Sequence, residues 1–160
     1  MEAFLMEKVT LKQVTIPVDL NTAAVTGDRV AMKDFDRVSF VVSLGASTAA
    51  TASFTLRQHN AATSGTSKDL SVANPYFVKA GAATVFTKVE PVANAAAYDL
   101  STTYAANGGV VVFEVLAEDL DVNNNFGWVS LDILDSNAAK LGSVVAVASH
   151  GRGPAYPIAI

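Results

Sequence analysis

The sequence predicts an all-β protein, an antiparallel β-sandwich of jelly-roll type with about eight strands and extended ends. Two observations predict it: a dominant hydrophobic period of two, and turn-forming clusters at the joints between the periodic segments. The helical signal is slight. Arg37–Leu44 (RVSFVVSL) sets Val38, Phe40, Val42 and Leu44 on one face, with Arg37, Ser39 and Ser43 on the other. Residues 52–60 repeat the pattern, with Phe54 and Leu56 opposed to Thr55, Arg57 and His59. The small-residue tract between them, GASTAATAS, reads as the tip of a β-hairpin that joins the two.

The remaining strands follow in order. Val9–Val18, Tyr76–Lys79 and Thr84–Val89 are weaker segments. Gly109–Val115 (GVVVFEV) is Val-rich with a single charge, which suits a strand buried on both faces. Trp128–Leu134 (WVSLDIL) alternates, with Val129, Leu131 and Ile133 against Ser130 and Asp132. Leu141–Ser149 is a further β-branched run. Asn107-Gly108-Gly109 supplies residues that tolerate positive φ just before a central strand, and Asn74-Pro75 and Glu90-Pro91 end elements. Val92–Leu100 carries enough alanine for a turn or two of helix.

The 160 residues make one domain, 1–160, with a possible N-terminal arm at 1–14 and a C-terminal arm at 151–160. A chain of this length buries enough surface to fold without a disulfide or a metal. Charged residues are 16% of the total, well under the ~25% of an ordinary domain. Ala, Val, Ser, Thr and Asn take their place, and a surface so poor in charge suits cover by other protein. The net charge of −4, with basic residues scattered singly, argues against nucleic acid. No apolar run reaches the ~18 residues of a membrane helix. The opening MEAFLMEKVTLKQV has neither the basic region nor the apolar run of a signal peptide.

No constellation for catalysis emerges, and neither a catalytic residue, a cofactor nor a metal is expected. There is no cysteine, no phosphate-cradling glycine loop and no nucleophile elbow. His59 and His150 read as surface polar groups. Asp121, Asn123 and Asn125 stand at the one-three-five spacing of a calcium loop with Asp132 twelfth, but Phe126 occupies the position that needs glycine. An asparagine-rich turn is the simpler reading. Phe126 and Trp128 read as core or loop-packing residues before partner anchors.

Several blocks resemble small virion structural proteins of tailed bacteriophages. They are FLMEKVTLKQVTIPVDLNTAAVTGDRVAMKDFDRVSFVVSLG, TASFTLRQHNAATSGTSKDL and GVVVFEVLAEDLDVNNNFGWVSLDI, which together run over most of the chain. The resemblance implies a non-enzymatic capsid decoration (cement) protein, made in the host bacterial cytoplasm and carried on the capsid surface of the virion. Its partners would be the major capsid protein and further copies of itself, as a homotrimer. The residues themselves suggest that the arms make the contacts, through Phe4, Leu5, Val9 and Leu11 and through Arg152, Tyr156, Ile158 and Ile160, with frayed ends or edge strands as the alternative. A tail, neck or head-fibre component is an alternative of the same kind. A carbohydrate-binding sandwich is another, and it would need an exposed aromatic platform such as Trp128 or Tyr104.

Overall fold

The computed structural model describes residues 9–21, 23–47, 52–71, 74–91, 97–100 and 107–151. Eleven strands form in the described residues: β1 (Val9–Asp19), β2 (Val30–Ala31), β3 (Phe35–Leu44), β4 (Ser53–His59), β5 (Ser67–Asp69), β6 (Tyr76–Ala80), β7 (Thr87–Val89), β8 (Ala97–Asp99), β9 (Gly109–Leu116), β10 (Trp128–Ile133) and β11 (Leu141–Gly151). Two 3-10 turns, Ala117–Asp119 and Val122–Asn124, lie between β9 and β10.

The strands make two sheets, ordered β1-β11-β3-β9-β6-β7 and β2-β10-β4-β5, with β8 also paired to β4. Every pairing is antiparallel. The pairings nest: β1 with β11, β2 with β10, β3 with β9, β4 with β5. That is a long hairpin rolled into two layers, the jelly-roll form of the β-sandwich. The β6–β7 hairpin extends the first sheet beyond β9.

Period-two alternation decides which face each strand buries. Val38, Phe40 and Val42 of β3, Val115 of β9, and Leu56, Val129, Leu131 and Ile133 of the second sheet are fully buried in one core. Phe113 is the hub of its aromatic part, with ring centroids 5.3 Å from Phe54, 5.3 Å from Tyr76 and 5.2 Å from Tyr98. Phe113 and Phe54 come from opposite sheets, so this cluster fastens the layers together.

The hairpin expected over residues 37–60 does not form. β3 pairs with β11 and β9, whereas β4 lies in the other sheet between β10 and β5. Both strands carry an apolar face, and those faces meet across the core instead of lying side by side. β9 also departs from expectation. Val111, Phe113 and Val115 are buried, but Val110, Val112 and Glu114 point away from the core and stay half-exposed. In the helical candidate Val92–Leu100, residues 92–96 lie outside the described residues, and Ala97–Asp99 is strand β8.

The turn before β9 behaves as its glycines require. Gly108 and Gly109 have φ of 65° and 133°. A Cβ on Gly109 would sit 2.1 Å from the Lys79 carbonyl oxygen, so a side chain is excluded by contact as well as by conformation.

The aromatic hub gives a direct test of the core. Phe113→Ala removes the ring that three others share, and such truncations cost about 3–5 kcal/mol. Urea unfolding should show that loss as a lower midpoint at unchanged slope.

Candidate functional site

Three features of the described residues carry more than packing: a buried polar chain on the second sheet, an apolar outer face on the first, and a groove where their edges meet.

The polar chain starts from register. β4 and β10 pair with Arg57 opposite Ser130 and His59 opposite Trp128, while β5 brings Ser67 opposite His59. Directly opposed residues share a face, so His59, Ser130, Asp132 and Ser67 all lie on the side away from the core. They are not left to solvent there. His59 is 2% exposed and Ser130 fully buried. Beside them the segment before β2 bridges Val25 to Ile133 along the edge of β10, and its Arg29 side chain reaches Ser67 Oγ at 3.5 Å. The approach is close: a Cβ on Gly27 would meet the Leu131 carbonyl oxygen at 2.4 Å.

His59 Nδ1 lies 2.7 Å from Ser67 Oγ, and Nε2 lies 2.9 Å from Ser130 Oγ. Ser130 donates to Asp132 Oδ1 at 3.2 Å, which also accepts the Gly27 N–H at 3.2 Å. With the Ser130 proton committed to Asp132, the ring proton belongs on Nε2, and Nδ1 accepts from Ser67. Arg29 closes the far end, donating to the Ala61 and Ser64 carbonyls at 2.7 Å each. The chain thus pins the 60–67 loop and the Gly27 segment to the strands between them. Its order differs from a Ser-His-carboxylate triad, where the carboxylate holds the imidazole. Here Asp132 holds Ser130 instead. His59 is therefore not the surface group expected: it is buried, with both ring nitrogens partnered, on a face that alternation alone marks as outward.

Burial pushes the His59 pKa down to about 4, aided by the Arg29 and Arg57 charges. Burial pushes Asp132 up, opposed by the Gly27 N–H, the Ser130 hydroxyl and Arg57. The Arg57 guanidinium is 3.8 Å from Asp132 and 3.2 Å from Asp69.

The asparagine-rich turn is organised by its own side chains. Asp121 pairs with Lys68 and accepts both bonds of the Asn124 amide, at 3.0 and 2.8 Å, and these contacts hold its carboxyl below the usual range. Lys68 also stands 4.4 Å from the centre of the Phe126 ring, a cation–π contact. Phe126 is buried and anchors the turn; Asn125 takes the left-handed conformation. Asp132, the twelfth-position candidate, belongs to the polar chain. Among the described residues no group of three or more His, Asp or Glu side chains gathers around a common point.

On the first sheet the outward positions are mainly apolar or small. A row crosses four adjacent strands through Val145 of β11, Val41 of β3, Val112 of β9 and Phe77 of β6, each opposite the next. Ser143, Ser43 and Val110 form a second row, and Ser39 and Glu114 lie on the other side. The charges on this face are few: the Arg37–Glu114 pair at 3.7 Å, and Lys79 and Lys88 toward one edge. All described strands belong to the two sheets, so no described strand covers this face.

The groove lies where β1 and β2, the edge strands of the two sheets, approach each other. Asp28 N–H bonds the Val14 carbonyl at 2.9 Å, and Lys12 Nζ bonds the Arg29 carbonyl at 2.9 Å, which joins the layers there. Beside these links is an opening of about 340 Å³. Thr10, Ala31, Phe35, Trp128, Ala146 and Ala148 are among its lining residues. Ala146 and Ala148 hold positions where a larger residue would fill the space.

Of the contact residues expected from sequence, Val9 is buried at the start of β1 and Leu11 is 43% exposed at the rim of the groove. Phe4, Leu5, Arg152, Tyr156, Ile158 and Ile160 lie outside the described residues, as does Tyr104. Trp128 is half-buried in the groove wall. Sequence reasoning missed the valine row, because the register that lines up Val145, Val41 and Val112 is not written in any one strand.

No protein-family model matches the chain, and no curated protein sequence matches it. Among solved structures it is similar to the crystal structure of the SPBc2 prophage-derived protein YomS. That similarity has a TM-score of 0.45 and 11% identity, and spans 92% of this chain and 99% of that one.

The buried histidine makes stability depend on pH. The unfolded chain binds a proton at His59 near pH 6.5 and the folded chain only near 4, so stability falls as pH drops through that window. Asp132, pushed up, works in the opposite direction. His59→Gln should remove the histidine part of the slope between pH 6.5 and 4. At pH 7 it should cost about 1–3 kcal/mol through the partners it leaves unpaired. Thermal unfolding across that range measures both.

Proposed function

We propose that this chain is a non-enzymatic virion structural protein that binds the outer surface of a bacteriophage capsid and stabilises the shell, working as a homotrimer. The observation that carries the reading is the outer face of the first sheet. In a free antiparallel sheet the solvent side is expected to alternate to polar residues. Here Val145, Val41, Val112 and Phe77 occupy that side in one row, flanked by serines.

Size supports the same reading. Six strands at about 4.8 Å, over some seven residues at about 3.3 Å each, present a face of roughly 650 Å². A standard protein interface takes about 800 Å² from each partner. Small β-branched and hydroxyl side chains also lose little rotamer freedom when covered. The low charge of the whole chain and its resemblance to small tailed-phage virion proteins point the same way, and the resemblance alone selects the capsid as the partner.

Co-sedimentation with undecorated capsids tests the proposal. The expected result is saturable binding that raises the temperature at which the shell dissociates. Val112→Lys, placed mid-row on the outer face, should weaken binding at least tenfold while leaving the unfolding midpoint within a few degrees of the parent. Capsids that neither retain the protein nor gain stability from it would refute the assignment.

A further inference from the structure

We infer that the groove between β1 and β2 is the docking site for residues 152–160 of a second copy of this chain, so that neighbouring subunits are linked tail into groove. The inference rests on the homotrimer reading above and names the contact that builds it.

Three observations carry it. The first is the groove itself. Its walls are mainly apolar, and Ala146 and Ala148 leave about 340 Å³ open beside an otherwise filled core. Ligand sites of this size take a few large apolar groups. The second is the sequence of the segment, Arg152-Gly153-Pro154-Ala155-Tyr156-Pro157-Ile158-Ala159-Ile160. Read with a period of two, Tyr156, Ile158 and Ile160 fall on one side and Ala155, Pro157 and Ala159 on the other. An extended segment of that pattern offers three large side chains to a groove and three small ones outward. The prolines suit an extended backbone and do not call for ladder hydrogen bonds.

The third observation is where the segment departs. β11 runs through Ala146 and Ala148 in the groove wall, and Gly151 pairs with Phe35 at its rim. Residues 152–160 therefore start beside the groove. On the homotrimer reading, the segment of one copy reaches the groove of the next. Such a contact joins two different surfaces, and it closes into a ring when repeated by rotation.

Trp128 is the only tryptophan in the chain and lines the groove, so its emission reports occupancy directly. Three proteins decide the matter: the full chain, a chain ended after Gly151, and the full-length double variant Ile158→Asp/Ile160→Asp, which leaves the folded strands untouched. Light scattering should give a trimer for the full chain and a monomer for the other two. Trp128 emission should be blue in the trimer and shift red by several nanometres in both variants and on dilution of the full chain. Adding the nine-residue peptide of 152–160 to the shortened chain should restore the blue emission in a saturable way.

Trimers that persist without the segment, with unchanged emission, would overturn the inference. So would a monomeric full chain whose emission shifts on truncation but not on dilution, since the segment would then occupy its own groove. None of these readouts uses capsids. A protein that forms the tail-linked trimer but ignores capsids refutes the shell assignment alone.

Discussion

The first strand and the last lie side by side. β1 and β11 pair from Val9 opposite Ser149 to Asp19 opposite Leu141, and β11 pairs on its other edge with β3. Chain segments more than 120 residues apart in sequence are thereby held at sheet spacing, and the loop-closure entropy must be met before either strand gains a partner. The other nested pairings, β2 with β10, β3 with β9 and β4 with β5, sit inside that one. The two surfaces proposed for assembly are products of it as well. Val145 joins the outer row only because β11 is inserted next to β3. The groove exists because β11 brings Ala146 and Ala148 beside the β1 edge.

The two faces of the sandwich have opposite characters, and burial explains both. Behind the second sheet, polar side chains are buried with partners from within the chain, and His59 stays neutral at pH 7. Uncovered, those groups would be satisfied by water; covered and unpaired, each would cost about 1–3 kcal/mol. Outside the first sheet, apolar side chains are left without cover by any described strand. The first arrangement finishes a fold. The second leaves hydrophobic area whose burial by a partner would contribute about 25 cal/mol per Å² of apolar surface removed from water.

Much of this architecture is legible in the sequence. Period-two patterning places β3, β4 and β10 close to their observed bounds, β-branched apolar runs place β9 and β11, and β1 and β6 stand where weaker segments are read. β2, β5 and β8 have two or three residues each and leave no period. The join between β3 and β4 misleads for a physical reason: a tract of small residues can turn a hairpin or carry the chain across to the facing sheet, and only the packing of the two apolar faces decides. β9 misleads in a more useful way. Its run of valines suits burial on both faces, and the fold buries one, leaving Val110 and Val112 to the outer surface. His59, Ser130 and Ser67 are separated by up to 71 residues, and only strand register brings them together. The groove could not be read at all, since it depends on where two alanines fall between two sheets.

The proposed shell-binding surface is the outer face of the first sheet, and a cryo-EM map of capsids saturated with the protein shows whether it meets the shell. The prediction is density for the sandwich with β11, β3 and β9 against the capsid and Val41 and Val112 within contact distance of it. A map in which that sheet faces solvent while another surface holds the shell would overturn that assignment.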